Sequence, residues 1–135
     1  MVITIPGECV AKQRPRAHNN IIYTPAKTTN YEGLVALCAN EVINNGEKPF
    51  INDEALECKI LICTAIPKST SKKKANLMRD CIIRPTKKPD IDNCVKSILD
   101  GMNGVVFKDD KQVVSLLVEK IYADIPSVRV VINAI

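Results

Sequence analysis

The sequence predicts one α+β domain over residues 1–135, a mixed or antiparallel sheet packed by about three helices. Three observations predict it. Leu56, Cys58, Ile60, Ile62, Thr64 and Ile66 fall on one side of an alternating run, the two-residue period of a half-buried strand. Two stretches, Tyr31 to Ile43 and Ile91 to Met102, repeat apolar residues at three- and four-residue spacing, the period of a helix packed on one side. The chain then finishes in two β-rich runs. A chain of 135 residues has room for one hydrophobic core, so one site is sought rather than several.

In order along the chain, Met1 to Ile5 alternates and is β-branched before Pro6-Gly7, which reads as a strand ended by a turn. Lys12 to Pro25 has no helical period and carries Lys12, Arg14, Arg16 and two prolines, the pattern of a basic loop. Thr28 or Thr29 is placed to cap a helix bearing Tyr31, Leu34, Val35, Cys38, Val42 and Ile43, which Asn45-Gly46 stops. The alternating strand follows and ends at Pro67. Ser69 to Met78, with serine caps and three lysines, suggests a short basic helix. After Pro85 and Pro89, the residues Ile91, Val95, Ile98, Leu99 and Met102 form an apolar stripe running to Asn103-Gly104. Val113 to Tyr122 and Val128 to Ile135, separated by Asp124-Ile125-Pro126-Ser127, read as a closing antiparallel hairpin.

Composition removes several function classes. Apolar residues make up 46% of the chain and charged residues 25%, which is ordinary for a folded domain and argues against disorder. No apolar run approaches the roughly 20 residues needed to span a bilayer, and the first residues lack a basic segment and long apolar segment of a secretion signal. A soluble, cytoplasmic protein is expected. The six cysteines are scattered through apolar segments without a C-x-x-C pair, and His18 is the only histidine, so buried free thiols fit better than disulfides or a zinc site.

Net charge is only +4, but its distribution is uneven. From Lys68 to Lys88 the cations Lys68, Lys72, Lys73, Lys74, Arg79, Arg84, Lys87 and Lys88 stand against the single acid Asp80. Asp90, Asp92, Asp100, Asp109 and Asp110 follow directly. With no Trp and 4% aromatic residues, charge rather than base stacking would have to supply affinity for a nucleic acid.

Pro89 disfavours helical geometry at Lys88 and suits the start of a helix. If Asp90 to Asp92 is extended as that helix begins, both carboxylates point to one side and Ile91 points to the core. Asp92 and Lys96 lie four apart, one turn above the other. A third carboxylate from Asp109 or Asp110 would make the cluster untenable at neutral pH without a cation or a proton. Oxygen-only ligands select Mg²⁺ or Mn²⁺ over zinc, and such an ion with a nearby lysine is suited to phosphodiester cleavage. Each feature also has a plainer reading. An aspartate at a helix start often only caps it, Asp92 and Lys96 suit a surface ion pair, Lys108-Asp109-Asp110-Lys111 suits a solvated turn, and a basic run is usually a soluble face.

Lys88-Pro89-Asp90-Ile91-Asp92-Asn93, then Lys96, Asp100-Gly101-Met102-Asn103-Gly104 and Asp109-Asp110-Lys111-Gln112-Val113 together closely resemble the signature of the RusA family of Holliday-junction resolvases. Lys12-Gln13-Arg14-Pro15-Arg16, Tyr23-Thr24-Pro25 and Tyr31-Glu32 resemble phage and prophage members, so the resemblance spans nearly the whole chain. It implies a RusA-like fold and a homodimeric endodeoxyribonuclease that binds four-way DNA and, with Mg²⁺, makes paired nicks in recombination and repair. It assigns metal binding to Asp90, Asp92 and Asp110 and a catalytic role to Lys96, with Asp109 a neighbour, Asn93 and Asp100 helix-terminal structural residues, and no small-molecule cofactor. Cys94 departs from the leucine more usual there, which touches only packing. Arg14, Arg16, Lys72, Lys73, Lys74 and Lys88 are the candidates for phosphate contacts. Two other readings remain open at the level of sequence: a flap or other branched-DNA nuclease, and a non-catalytic basic DNA-binding protein.

Overall fold

The computed structural model describes residues 1–135. Strand β1 (Val2–Pro6) alternates as expected, with Ile3 and Ile5 fully buried and Val2 and Thr4 outward. The chain leaves it through Gly7 at φ 86°, a backbone state that favours glycine.

Residues 12–25 are not the irregular loop the sequence suggests. They hold a hairpin in which β2 (Arg16–His18) pairs antiparallel with β3 (Ile21–Tyr23). Its turn is Asn19-Asn20, with φ of 49° and 63°, the left-handed pair of a two-residue hairpin that Asn tolerates better than most residues. Every residue of both strands is exposed, so no alternation betrays the hairpin in the sequence.

Helix α1 (Ala26–Asn44) begins earlier than Thr28 or Thr29 would set it. Pro25 takes the cap position without a side-chain cap, and Thr28 is buried instead, its hydroxyl accepting the Gln13 N–H at 3.2 Å. Tyr31, Val35 and Ala39 form the buried stripe. Strand β4 (Leu56–Ala65) buries Leu56, Cys58, Ile60 and Ile62. Helix α2 (Lys72–Arg79) is capped by Ser71, whose hydroxyl accepts the Lys74 N–H at 3.3 Å. Helix α3 (Ile91–Met102) buries Cys94, Ser97, Ile98, Gly101 and Met102. Ile91, expected to point into the core, is exposed. Burial along that stripe starts at Cys94, so the first turn of α3 overhangs the core and stands in solvent.

A 3₁₀ turn at Asp110–Gln112 leads into β5 (Val113–Ala123), and β6 (Ser127–Ala134) follows. The expected hairpin between these two strands does not form. The sheet order is β1-β6-β4-β5, with β6 antiparallel to both β1 and β4, and β5 parallel to β4. Strand β4 lies between them because it needs a partner on each edge to satisfy its backbone while burying alternate side chains. A turn signal between two strands says that the chain reverses, not that the strands are neighbours. The parallel β4–β5 pair requires a crossover, which α2 and α3 supply.

The helix-covered face of the sheet carries Ile3, Ile5, Ile60, Ile62, Val128, Val130 and Ile132, packed against Val35 of α1 and Ile98 and Met102 of α3. Helices α1 and α3 approach closely at Gly101, where a Cβ would stand 2.7 Å from Val35 Cβ. Cys9, Cys58 and Cys94 are buried, Cys38, Cys63 and Cys81 half-buried, and none is in a disulfide.

Candidate active site

Asp90 occupies the N-cap of α3 in extended geometry (φ −70°, ψ 138°), and Asp92 is already in the first helical turn. The Asp90 carboxylate accepts no capping hydrogen bond, which removes the plainest structural explanation for it. Both carboxylates are exposed, and neither has a basic side chain within 4.0 Å. The positive end of the helix dipole is their nearest fixed compensation.

Asp110 reaches the same region from the connection after α3. Its 3₁₀ turn is held by a capping box: Asp109 accepts the Lys111 N–H at 2.9 Å, and the Gln112 side-chain oxygen accepts the Asp109 N–H at 3.1 Å. Gln112 is buried and its amide donates to the carbonyls of Phe50 and Glu54, each at 3.3 Å. The Lys111 N–H also holds the Asp109 carboxyl below the usual carboxylate range. Asp109 is therefore committed to the turn, and Asp110 is the aspartate that turns toward α3.

Lys96 does not stack on Asp92 as its spacing suggests. Its ammonium donates to Asp100 Oδ1 at 2.9 Å and lies 3.8 Å from Asp110 Oδ2. Asp100 Oδ2 is 3.2 Å from Lys12 Nζ, and Lys12 also donates to Glu32 Oε1 at 2.5 Å. Glu32, Lys12, Asp100, Lys96 and Asp110 thus form one chain of alternating charge. It ties α1, the segment after β1, α3 and the 3₁₀ turn together. The carboxylate of Glu32 holds the Lys12 ammonium above its ordinary pKa, and that of Asp100 does the same for Lys96. Both lysines are cations throughout the neutral range.

The segment bearing Lys12 is itself fastened to α3, since the Lys12 N–H donates to Asn93 O at 2.8 Å and Ser97 Oγ donates to Val10 O at 2.7 Å. A depression of about 420 Å³ opens beside this seam, lined by Lys12, Lys27, Lys88, Asp90 and Asn93 among others. A second, also about 420 Å³, is lined by Lys74, Arg84 and Lys87. Consecutive lysines thus line the two, Lys88 the first and Lys87 the second.

The site residues expected from sequence are distributed as follows. Asp90, Asp92 and Lys96 lie along the exposed N-terminal half of α3, and Asp110 is brought to Lys96, 3.8 Å away, while Lys96 is paired with neither Asp90 nor Asp92. The three aspartates are not gathered into a closed cage of metal-ligand distances. Lys72, Lys73 and Lys74 stand exposed in the first turn of α2, and Arg14 and Arg16 are exposed at the β2–β3 hairpin. Sequence reasoning missed Glu32 and Lys27 and gave Asp100 only a helix-end role. The four-residue spacing of Lys96 to Asp100 on α3 was the one local signal available, and it is the weaker orientation of such a pair, with the lysine N-terminal to the acid.

A family model described as "Endodeoxyribonuclease RusA" matches residues 6–133. The chain belongs to the RusA family. The uncharacterized protein YqaN of Bacillus subtilis (strain 168) is similar to it, 36% identical over 136 aligned positions that cover 98% of this chain and 94% of YqaN. Membership makes this RusA-family chain a nuclease, and its mixed sheet under α1 and α3 is the frame that sets Lys96 beside Asp110. No helix of the structure is long and apolar enough to cross a membrane.

Proposed function

We propose that the chain is a divalent-metal-dependent endodeoxyribonuclease that binds four-way DNA as a homodimer and resolves it by paired, symmetric nicks, in recombination and repair. The observation that carries this reading is the arrangement of Lys96 between Asp100 and Asp110 on the helix whose exposed first turn presents Asp90 and Asp92. A protein that only gripped phosphates would gain nothing from acids placed there. DNA as substrate makes the cytoplasm its place of work.

The donor set fits Mg²⁺, with Mn²⁺ as the close alternative, because Asp90, Asp92 and Asp110 offer carboxylate oxygens only. When bound, the ion supplies Lewis-acid polarisation of the phosphate and a more acidic water. The remaining work belongs to the chain. Asp90, Asp92 and Asp110 would hold the ion. Lys96, kept protonated by Asp100, offsets charge that builds at the phosphate during cleavage. Lys12 fixes Asp100 from its other oxygen. Arg14, Arg16, Lys72, Lys73, Lys74 and Lys88 contact phosphates outside the reacting group and orient the DNA without reading its sequence. Symmetric incision requires two such sites related by a twofold axis, and one chain supplies one.

The test is Mg²⁺-dependent cleavage of a labelled mobile four-way junction by wild type and Asp92→Asn, with flap and linear DNA of the same sequence as controls. Paired nicks by wild type alone, confined to the junction, support the proposal. Equal cutting of flaps makes the chain a general branched-DNA nuclease. Binding without any cutting in Mg²⁺ or Mn²⁺ leaves only a DNA-binding protein.

A further inference from the structure

The β2–β3 hairpin stands off the body of the protein. Every residue of both strands is exposed, Ile21 by 66%, Ile22 by 76% and Tyr23 by 45%. A two-stranded hairpin that buries none of its side chains is at best marginally stable by itself in water. Solvent gives no reason for two isoleucines beside its turn, whereas a partner outside the chain does.

The charge of the segment selects the kind of partner. No acid occurs between Glu8 and Glu32, while Lys12, Arg14, Arg16 and Lys27 all lie there. Arg14, Arg16 and Lys27 are exposed, and none of them is in an ion pair. The strand register gives the hairpin two unlike faces. Arg16 stands opposite Tyr23 and His18 opposite Ile21, which puts these four side chains on one face, and Ala17 with Ile22 forms the other. On the first face each large apolar side chain therefore has a basic neighbour, which suits a polymer with an anionic backbone and flat apolar bases. The root of the hairpin is fixed beside the acid site. The Lys12 N–H donates to Asn93 O at 2.8 Å and the Gln13 N–H to Thr28 Oγ1 at 3.2 Å, so the hairpin leaves the body at the depression lined by Lys12, Gln13, Lys27, Lys88 and Asp90.

We infer that the hairpin is a wedge for branched DNA, in which Arg14 and Arg16 hold phosphates while Ile21 and Ile22 enter the branch point and keep its bases unstacked next to the acid site. Cations alone grip any duplex equally. Apolar side chains pushed between bases carry an unstacking cost, and that cost is least where stacking is already interrupted. A linear duplex must give up an intact stack to admit the same two side chains. The wedge thus selects the branch point and not a base sequence. This inference rests on the reading of four-way DNA as the substrate, and it names the residues that tell a branch from a duplex.

The experiment uses the whole chain without divalent metal, so that nothing is cut, and four-way DNA carrying 2-aminopurine, a base whose fluorescence rises when it unstacks. The probe is placed at the crossover in one substrate and in the middle of an arm in another. Wild type is expected to raise the crossover signal and leave the arm signal flat. Ile21→Ser/Ile22→Ser is expected to lose that rise, to keep most of its affinity because the cations remain, and to cut the junction about 10- to 100-fold more slowly in Mg²⁺. Ile21→Leu/Ile22→Leu restores the rise. Arg14→Gln/Arg16→Gln is expected to weaken binding to junction and duplex alike. All four positions are exposed, so the variants keep their fold, which an unchanged thermal unfolding temperature checks. A crossover that stays stacked under bound wild type overturns the inference. One that opens equally under the serine variant also overturns it, and leaves the isoleucines to a protein partner. Because the fluorescence is read without metal, a chain that opens the crossover but never cuts in Mg²⁺ or Mn²⁺ upholds the wedge and sinks the nuclease reading alone.

Discussion

Lys12 and Lys96 divide one carboxylate between them: Asp100 gives Oδ2 to Lys12 at 3.2 Å and Oδ1 to Lys96 at 2.9 Å. Asp100 is mostly buried while the Lys96 side chain is 56% exposed, so the fixed partner sets where the mobile one points. Asp100→Asn keeps the shape and removes the charge. Lys96 then has Asp110 as its remaining acidic neighbour and competes there with a cation. The expected outcome is a single-turnover cleavage rate lower by about 10- to 100-fold, or about 1.4 to 2.7 kcal/mol of barrier, with junction affinity nearly unchanged. A matched loss of affinity at an unchanged rate would assign Asp100 to DNA binding instead.

Asp90 and Asp110 are expected to behave alike in cleavage and differently in stability. Asp90→Asn and Asp110→Asn each remove a proposed metal donor and a negative charge near the phosphate path, so both abolish cutting while junction binding in a gel shift holds or tightens. The Asp90 carboxylate accepts no capping bond, so Asp90→Asn should move unfolding by no more than about 0.5 kcal/mol. Loss of fold in Asp90→Asn would return that residue to a structural role.

Gly101 is where the seam between α1 and α3 is tightest. A methyl group there would meet Val35 Cβ at 2.7 Å and the Glu32 carbonyl oxygen at 2.9 Å, and backbone does not yield as a side-chain tip does. Gly101→Ala should therefore destabilise by about 1 to 3 kcal/mol, although alanine is the better helix former by about 1 kcal/mol. Val35→Gly in the same chain removes both Val35 contacts, Cβ at 2.7 Å and Cγ1 at 2.9 Å, whereas Val35→Ala keeps the nearer one, so Val35→Ala should rescue Gly101→Ala little in denaturant unfolding. A stabilised Gly101→Ala would mean that the helices separate freely.

What the sequence made legible follows burial. Strand β4 and helix α3 each press one face on the core, and their periods announced them. The β2–β3 hairpin is exposed on both faces, leaving only Asn19-Asn20 as a signal. The position of β4 between β5 and β6 was not legible, because a turn between two strands fixes direction and not neighbours. In the site, the motif from Asp90 to Asp110 named the acids and Lys96, since their spacing is local or carried by the family resemblance. Glu32, far away on α1, joins through Lys12 only once the core has brought α1 against α3. The partner of Lys96 was hidden for another reason: Asp92, one turn before it, is the better-oriented acid on an isolated helix, and only the fold, with Lys12 and Asp110 beside Asp100 and Lys96, selects Asp100.

Cys58 gives the fold a dependence on alkaline pH. Burial alone pushes its thiol from 9.0 up to about 12. Above about pH 9 the unfolded chain releases this proton while the folded chain keeps it, so the unfolded state binds fewer protons and stability falls as pH rises. The effect is absent below the unfolded value and grows until the folded thiol ionises as well. At pH 10 it amounts to about 1.4 kcal/mol from this residue. Burial also raises Cys38, which adds in the same direction. Cys58→Val removes the titration at a packing cost under about 1.5 kcal/mol. Unfolding free energies at pH 7 and pH 10 should then differ by about 1.4 kcal/mol less in Cys58→Val than in wild type. An equal pH dependence in the two chains would mean that the Cys58 thiol ionises as readily in the core as in water.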